Sequence, residues 1–255
     1  MAPVACHAVQ DRLSAARHAL ARGLGRLERV SAGARARVEP GPERRGRYGA
    51  LWDPPETADA MALILNTTDA DTFESTGRAD ADRLAAHVPA GGTALDLGCG
   101  IGRVARYLAP RCGLLWAVDA SPRMLELAQR RLAPESNVRF ALCVDTTMPG
   151  VPDASVDLAY ALLVLQHLER EDAFLLLEEL HRVLRPDGRL VVTFPNLLSD
   201  TYLDAFLRYA HTGEVANPAR ARMYTPEEVV RVLTAAGFAA ELDAGVEIWA
   251  DCRPT

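Results

Sequence analysis

The sequence contains no lysine, so arginine supplies all 28 of its basic side chains. With 34 acidic residues the formal net charge is −6, which argues against a nucleic-acid-binding surface. No stretch approaches the roughly 18 uninterrupted apolar residues of a membrane-spanning helix. The N-terminal region also lacks the apolar segment and cleavage site of a secretory signal. We therefore expect a protein that binds neither nucleic acid nor membrane.

Cysteine is scarce and shows no spacing typical of a metal site. The five cysteines include no CxxC pair, and their number is odd. Thiols distributed in this way are typical of reduced cytoplasmic proteins. We predict a cytoplasmic location and no bound metal ion.

The first 47 residues differ in pattern from the rest of the chain. Apolar residues recur there at spacings of four and three, at Val9, Leu13, Ala16, Leu20, Leu24 and Leu27. This stripe predicts an amphipathic helix that packs on the following domain or on a second subunit, as in a homodimer. A role at a membrane surface or on nucleic acid is disfavoured because Asp11 and Glu28 interrupt the basic face. We assign residues 1–76 to a helical extension and cap, and residues 77–255 to the main domain.

From Thr93 onward short strands alternate with helices, which predicts a doubly wound α/β sheet. The predicted strands are Thr93–Leu97, Leu114–Val118, Val138–Cys143, Val156–Leu162, Arg189–Phe194, Ala239–Leu242 and Val246–Ala250. The predicted helices are Gly102–Leu108, Pro122–Leu132, Asp172–Leu184, Leu197–Ala210 and one from Thr225 to Gly237. We expect "RPDG" (Arg185–Gly188) to form a turn, and the last two strands to form an antiparallel hairpin.

Three glycines lie at the junction of the first strand and the first helix, in "LDLGCGIG" (Leu95–Gly102). A dinucleotide-binding fingerprint requires a third glycine where this sequence has Arg103. That glycine permits the close packing of helix on strand that a pyrophosphate site needs. A nucleotide-dependent oxidoreductase is therefore a disfavoured alternative.

The segment Leu95–Gly102 resembles the first motif of the class I S-adenosylmethionine-dependent methyltransferases. Further segments resemble that family in the same order, namely "VDASPRML" (Val118–Leu125), "LLVLQHL" (Leu162–Leu168), "RVLRPDGRLVVT" (Arg182–Thr193) and "TAAGF" (Thr234–Phe238). The resemblance implies a Rossmann-like sheet of seven strands, mostly parallel, with S-adenosyl-L-methionine as cofactor. It implies methyl transfer to oxygen or nitrogen of a small molecule, as in specialised metabolism. A non-methylating relative, such as a cyclase or a silent partner subunit, is the alternative.

The resemblance also assigns cofactor contacts by position. From the methionine end to the adenine these are Asp96, Gly98, Gly100, Gly102, Asp119, Ala120, Met124, Asp145 and Thr146, with Leu162 and Arg78 beside them. A carboxylate at Asp119 suits the vicinal hydroxyls of a ribose. Val144 departs from the family pattern, which has glycine before the acid at Asp145. Met124 as a core residue and Asp145 as a loop cap are the competing interpretations.

The acceptor side is predicted from the ends of the strands and from one covering segment, residues 197–224. His167 and His211 are the candidate bases for an oxygen acceptor, and a purely structural histidine is the alternative. The candidate acceptor contacts are Tyr48, Trp52, Asn196, Tyr202, Phe206 and Tyr224. Aromatic rings with polar tips suit an apolar small molecule, although Tyr202 and Phe206 also share one helix face suited to packing.

Overall fold

A computed structural model describes residues 47–214, 217 and 220–255. The predicted amphipathic helix and any homodimer contact through it lie outside the described residues. None of the described helices combines the length and the hydrophobicity that spanning a bilayer requires.

Helices lie before the sheet and between its strands. They are α1 (Arg47–Leu51), α2 (Thr57–Leu65), α3 (Ala70–Ala85), α4 (Ala105–Leu108), α5 (Pro122–Arg131), α6 (Arg170–Val183), α7 (Asp200–Thr212) and α8 (Pro226–Ala235). The strands are β1 (Thr93–Leu97), β2 (Leu114–Asp119), β3 (Val138–Leu142), β4 (Val156–Ala161), β5 (Leu184–Pro195), β6 (Phe238–Ala244) and β7 (Glu247–Pro254). Helix α3 crosses position 76, where the sequence analysis placed the end of the cap.

The seven strands form one sheet in the order β3-β2-β1-β4-β5-β7-β6. Strands β1 to β5 pair in parallel, whereas β7 lies antiparallel between β5 and β6. The predicted fold class is therefore confirmed, including the antiparallel hairpin near the C-terminal end of the chain.

Helices cover both faces of the sheet because its central strands are apolar on both sides. Leu95 and Leu97 of β1 pack on the face covered by α6 and α8, while Ala94 packs on the opposite face with α3, α4 and α5. Alternation along a strand sends neighbouring side chains to opposite faces. Asp96 consequently points to the same face as Ala94, away from Leu97.

Two helix starts agree with their sequence signals. The Ser121 side chain accepts a hydrogen bond from the Met124 amide, as expected of an N-cap that precedes Pro122. Thr225 and Glu228 form a reciprocal capping box at the start of α8.

Two predicted details are wrong. The segment Arg185–Gly188 is not a turn between helix and strand, because it lies within β5 and bulges from the ladder between the Leu184–Val156 and Arg189–Leu158 pairs. The helix predicted from Gly102 begins at Ala105, since Gly102 has φ +83° and cannot continue a right-handed turn.

Candidate active site

A cleft opens at the carboxyl ends of β1, β2 and β4, where ligands bind in doubly wound sheets. It encloses about 770 Å³ of empty space, part of it open to solvent. Its walls are mainly apolar, and the residues that line it are Tyr48, Trp52, Leu63, Ile64, Leu97, Gly98, Gly100, Asp119, Ala120, Met124, Cys143, Asp145, Leu162, Leu163, Val164, His167, Leu168 and Leu176.

The glycine-rich turn after β1 forms one wall of the cleft. The amides of Gly98 and Cys99 both donate to the Val118 carbonyl oxygen, at 2.7 and 2.9 Å, which holds the turn against β2. Gly98 has φ +73°, and a Cβ there would lie 2.4 Å from Cγ2 of Val164. Only glycine fits this position, because any side chain would meet both backbone strain and a direct clash.

Asp119 ends β2 and has its carboxylate fixed by the backbone. Oδ2 accepts from the Gly100 amide and Oδ1 from the Ser121 amide, each at 2.9 Å. Burial raises the pKa of this carboxyl group, and the amide hydrogen bonds oppose that shift by favouring the charged form. Each carboxylate oxygen keeps a second lone pair for a ligand, so Asp119 can accept from two adjacent hydroxyl groups.

Asp96 lies behind the glycine turn and does not line the cleft. It is buried beside Tyr160, its register partner on β4. Burial raises its pKa to about 7, against the opposing effects of the Tyr160 hydroxyl and the Arg103 charge. Arg103 itself is buried and pairs with Asp80 of α3, Nη1 to Oδ2 at 2.6 Å. The residue that replaces the third glycine thus joins the motif to α3.

We expect Asp96→Asn to remove part of the pH dependence of stability. Because the pKa of Asp96 rises from 3.8 to about 7 on folding, the folded protein keeps a proton that the unfolded chain releases. The stability contributed by this group is complete below pH 3.8 and is lost as the pH rises to about 7. We therefore expect the free energy of unfolding, measured with denaturant, to fall more between about pH 5 and about pH 8 in the wild type than in Asp96→Asn. An exposed control, Asp187→Asn, should behave as the wild type; identical losses in wild type and Asp96→Asn would contradict the expectation.

Helix α1 lies along one side of the cleft, which Tyr48 lines. The Tyr48 hydroxyl donates to Oδ2 of Asp172 at 2.6 Å and accepts from the Glu169 amide at 3.1 Å. A Cβ on Gly49 would lie 2.5 Å from the Ala120 carbonyl oxygen, so α1 touches the loop that follows β2. The described part of the N-terminal cap is thereby fixed to two loops of the cleft.

The loop after β3 explains how the sequence tolerates Val144. Val144 and Thr147 exchange two backbone hydrogen bonds of 2.9 Å, which closes a tight turn. The left-handed residue of this turn is Asp145, with φ 56°, and aspartate adopts that conformation more readily than most residues. Asp145 lines the cleft, whereas Thr146 does not.

His167 ends a 3-10 turn (Leu165–His167) beside the cleft. Its Nε2 lies 3.1 Å from Nε2 of Gln166, and its ring packs edge-on against Trp52, with 4.8 Å between centroids. The turn follows Leu163, which has φ 62° and donates its amide to the Thr193 hydroxyl at 2.9 Å. Such strained backbone persists only where surrounding contacts enforce it.

The cleft brings together many of the predicted residues, from Tyr48 and Trp52 through Gly98, Asp119 and Asp145 to His167. Sequence reasoning missed Leu63, Ile64, Leu163 and Val164, which form much of the apolar wall. Two sequence signals could have indicated these residues. They are the apolar run "MALIL" in α2 and the segment "LLVLQHL" (Leu162–Leu168) that follows β4.

The other predicted residues do not line this cleft. Arg78 stacks on the Tyr107 ring at 4.7 Å. The Asn196 side chain donates to the Gly245 carbonyl oxygen and accepts from the Leu198 amide.

The predicted aromatic and histidine contacts of the covering segment also lie elsewhere. Tyr224 is buried against Phe194. Tyr202 donates to Glu247 at 3.1 Å, Phe206 is 48% exposed, and His211 lies in the last turn of α7. Among the residues that the structure describes, no group of acidic, histidine or cysteine side chains is placed to hold a metal ion.

Comparison with known proteins shows which family the sequence matches. The family described as "Methyltransferase domain" matches residues 95–192. An uncharacterised 37.1 kDa protein in a Streptomyces fradiae transposon is 36% identical over 155 residues, 58% of this chain and 44% of that protein. A demethylmenaquinone methyltransferase from Tropheryma whipplei is 33% identical over 125 residues, 48% of this chain and 51% of that protein. The chain thus spans about half the length of these relatives.

A solved structure agrees with the fold. The magnesium protoporphyrin IX methyltransferase from Synechocystis, determined with bound SAH, has a TM-score of 0.57 at 19% identity. The likeness covers 82% of this chain and 93% of that one, and at this identity it concerns the fold alone. Residues 95–192 thus match the methyltransferase domain family, and the sheet has the fold of the class I S-adenosylmethionine-dependent methyltransferases, whose cofactor is S-adenosyl-L-methionine.

Proposed function

We propose that this protein transfers a methyl group from S-adenosyl-L-methionine to oxygen or nitrogen of a small-molecule acceptor in specialised metabolism. The observation that carries the proposal is the mainly apolar cleft in which the glycine turn meets the backbone-fixed carboxylate of Asp119. A relative supports a small acceptor, since its name specifies demethylmenaquinone.

The residues of the cleft fit the cofactor. When bound, S-adenosyl-L-methionine supplies a sulfonium-activated methyl group whose leaving group is a neutral thioether. We assign the close backbone approach to Gly98 and Gly100, and the ribose hydroxyls to Asp119. Ala120 and Met124 border the adenine in this proposal, and Asp145 faces it from the loop after β3. The apolar wall excludes water and holds the acceptor in line for transfer.

His167 is the proposed proton acceptor for a hydroxyl nucleophile. It lies beside the cleft in the 3-10 turn that follows β4, and its ring contacts Gln166 and Trp52. A hydroxyl group gains from a base as the oxygen attacks, whereas an amine need only arrive unprotonated. The base therefore accelerates transfer to oxygen acceptors and is dispensable for nitrogen acceptors.

Cofactor binding tests the proposal first. We expect calorimetry with S-adenosylhomocysteine to show saturable binding, because the glycine turn and the Asp119 carboxylate both line the cleft. A mass-shift screen of metabolites with S-adenosyl-L-methionine should then reveal a product one methylene heavier than its acceptor. Absence of cofactor binding by folded protein would overturn the proposal. Binding without transfer to any acceptor would favour the silent-partner or cyclase alternative.

Replacement of His167 by glutamine should separate chemistry from binding. For a hydroxyl acceptor we expect kcat to fall roughly 10²- to 10⁴-fold, the usual contribution of a general base. The affinity for S-adenosylhomocysteine should stay the same, because Asp119 and the glycine turn are unchanged. His87→Gln provides the matched control, since His87 pairs with Asp251 outside the cleft. An unchanged kcat with a hydroxyl acceptor would exclude His167 as the base.

We also propose a cytoplasmic location, because the described cysteines are free thiols. Cys99, Cys143 and Cys252 are buried free thiols. Burial raises the pKa of Cys143 and of Cys252 to about 12, so both remain protonated and poorly reactive. Such thiols suit a reducing compartment.

A further inference from the structure

The turn that carries His167 is held from outside the cleft by one arginine. We propose that Arg222 is a positioning residue for methyl transfer, fixing the backbone of Gln166–Glu169 so that the His167 ring stays at the cleft. This inference rests on the proposed function, in which His167 accepts the proton of a hydroxyl acceptor.

Arg222 contacts residues of this turn with both its backbone and its side chain. Its amide donates to the Gln166 carbonyl oxygen at 2.8 Å. In its guanidinium, Nη1 donates to the His167 carbonyl oxygen at 3.1 Å, and Nη2 to Oε1 of Glu169 at 2.7 Å. Nε completes the pair with Oε2 of Glu169 at 3.4 Å. One residue therefore fixes the backbone on both sides of the His167 ring.

Burial makes these contacts stronger than those of a surface ion pair. The Arg222 side chain is only 7% exposed, while Glu169 is 39% exposed. Ion pairs on the surface contribute little because water and salt screen them. A guanidinium withdrawn from water instead must satisfy its donors, and here carbonyl and carboxylate oxygens of the turn do so.

The opposite side of the same turn is held by the N-terminal cap. The Glu169 amide donates to the Tyr48 hydroxyl, and Trp52 packs against the His167 ring. The turn thus lies between α1 and the end of the covering segment at Arg222. Loss of either support leaves the ring free to move, and displacement of a catalytic group by about 1 Å can cost about 10²-fold in rate.

Lysine cannot replace this arginine fully. The planar fork of a guanidinium reaches a carboxylate and a carbonyl oxygen at once, whereas an ammonium group is a single point of charge. Arg222→Lys should accordingly recover only part of the function lost in Arg222→Met.

The test compares Arg222→Met with Arg131→Met, whose arginine makes a similar pair with Glu74 away from the cleft. With a hydroxyl acceptor, we expect kcat of Arg222→Met to fall roughly 10- to 100-fold, with a shifted acidic limb of the pH profile. Its affinity for S-adenosylhomocysteine should equal that of the wild type. Arg131→Met should keep the wild-type kcat and pH profile. Wild-type kcat and pH profile in Arg222→Met would overturn the proposal.

Two measurements with S-adenosylhomocysteine bound need no acceptor. We expect Arg222→Met to speed amide hydrogen exchange in residues 166–169 and to shift the NMR titration of His167. If neither changes, Arg222 does not position the turn. If both change while His167→Gln transfers methyl groups normally, Arg222 still holds the turn but the proposed base is wrong. Glu169→Gln, which removes one charge of the ion pair, replaces Arg222→Met if that variant fails to fold. We expect it to change the hydrogen exchange and the NMR titration in the same direction but by less.

Discussion

Replacing Gly98 with alanine should abolish measurable cofactor binding and also weaken the fold. The backbone at Gly98 has φ +73°, which costs an alanine about 1–2 kcal/mol. The new Cβ would also lie 2.4 Å from Val164 Cγ2, so the glycine turn or the β4 loop must move. Both form walls of the cleft, and the shift therefore acts directly on the proposed cofactor site. Denaturant unfolding and calorimetry with S-adenosylhomocysteine measure the two effects.

Gly91 offers a closely matched control. It has φ +70°, yet a Cβ there would meet no atom within 4 Å. Gly91→Ala should therefore show the backbone strain alone, with loss of stability and normal cofactor affinity. The expectation fails if Gly98→Ala binds S-adenosylhomocysteine as tightly as Gly91→Ala does.

Replacing Asp119 with alanine should give the second large effect. The variant loses the acceptor pair proposed for the ribose hydroxyls and leaves the Gly100 and Ser121 amides without their partner. Each hydrogen bond to a charged group contributes about 1.5–3 kcal/mol, so the loss of even one should lower the affinity for S-adenosylhomocysteine roughly 10- to 150-fold. Calorimetry provides the measurement, and stability should fall as well because two buried amides lose their acceptor.

Asp157→Ala distinguishes lost stability from lost recognition. Asp157 also accepts from a backbone amide, that of Thr93 at 2.7 Å, but it does not line the cleft. This variant should lose stability while binding S-adenosylhomocysteine normally. Equal affinities in Asp119→Ala and Asp157→Ala would show that Asp119 has no part in binding.

Local signals in the sequence predicted much of the fold. The bounds of β1, Thr93–Leu97, agree with the prediction because an apolar run ends at glycines that cannot extend a strand. "RPDG" was misread because proline, aspartate and glycine favour turns locally. In the fold, pairing of Leu184 with Val156 extends β5 to include these residues, and no local signal reports a partner 28 positions away.

In the candidate site too, residues set by local sequence were predictable and residues set by tertiary packing were not. The places of Gly98 and Asp119 at the cleft were predictable, because they follow from the turn and the strand end in which these residues occur. Ile64 and Val164 were missed because their place at the cleft depends on how α2 and the β4 loop pack onto the glycine turn. Arg78 was expected at the cofactor, but Gly77 lies against the Arg103 carbonyl oxygen, and Arg78 stacks on Tyr107 instead.

The position of β7 affects the order in which the strands of the sheet can pair. Although it is the last strand along the sequence, β7 occupies an interior position between β5 and β6. Until it inserts, its two neighbours present unpaired edges, which invite association with other chains. Its arrival also supplies Glu247, the partner of Tyr202 on α7. During synthesis on the ribosome, α7 therefore gains this contact only after the other six described strands have been made.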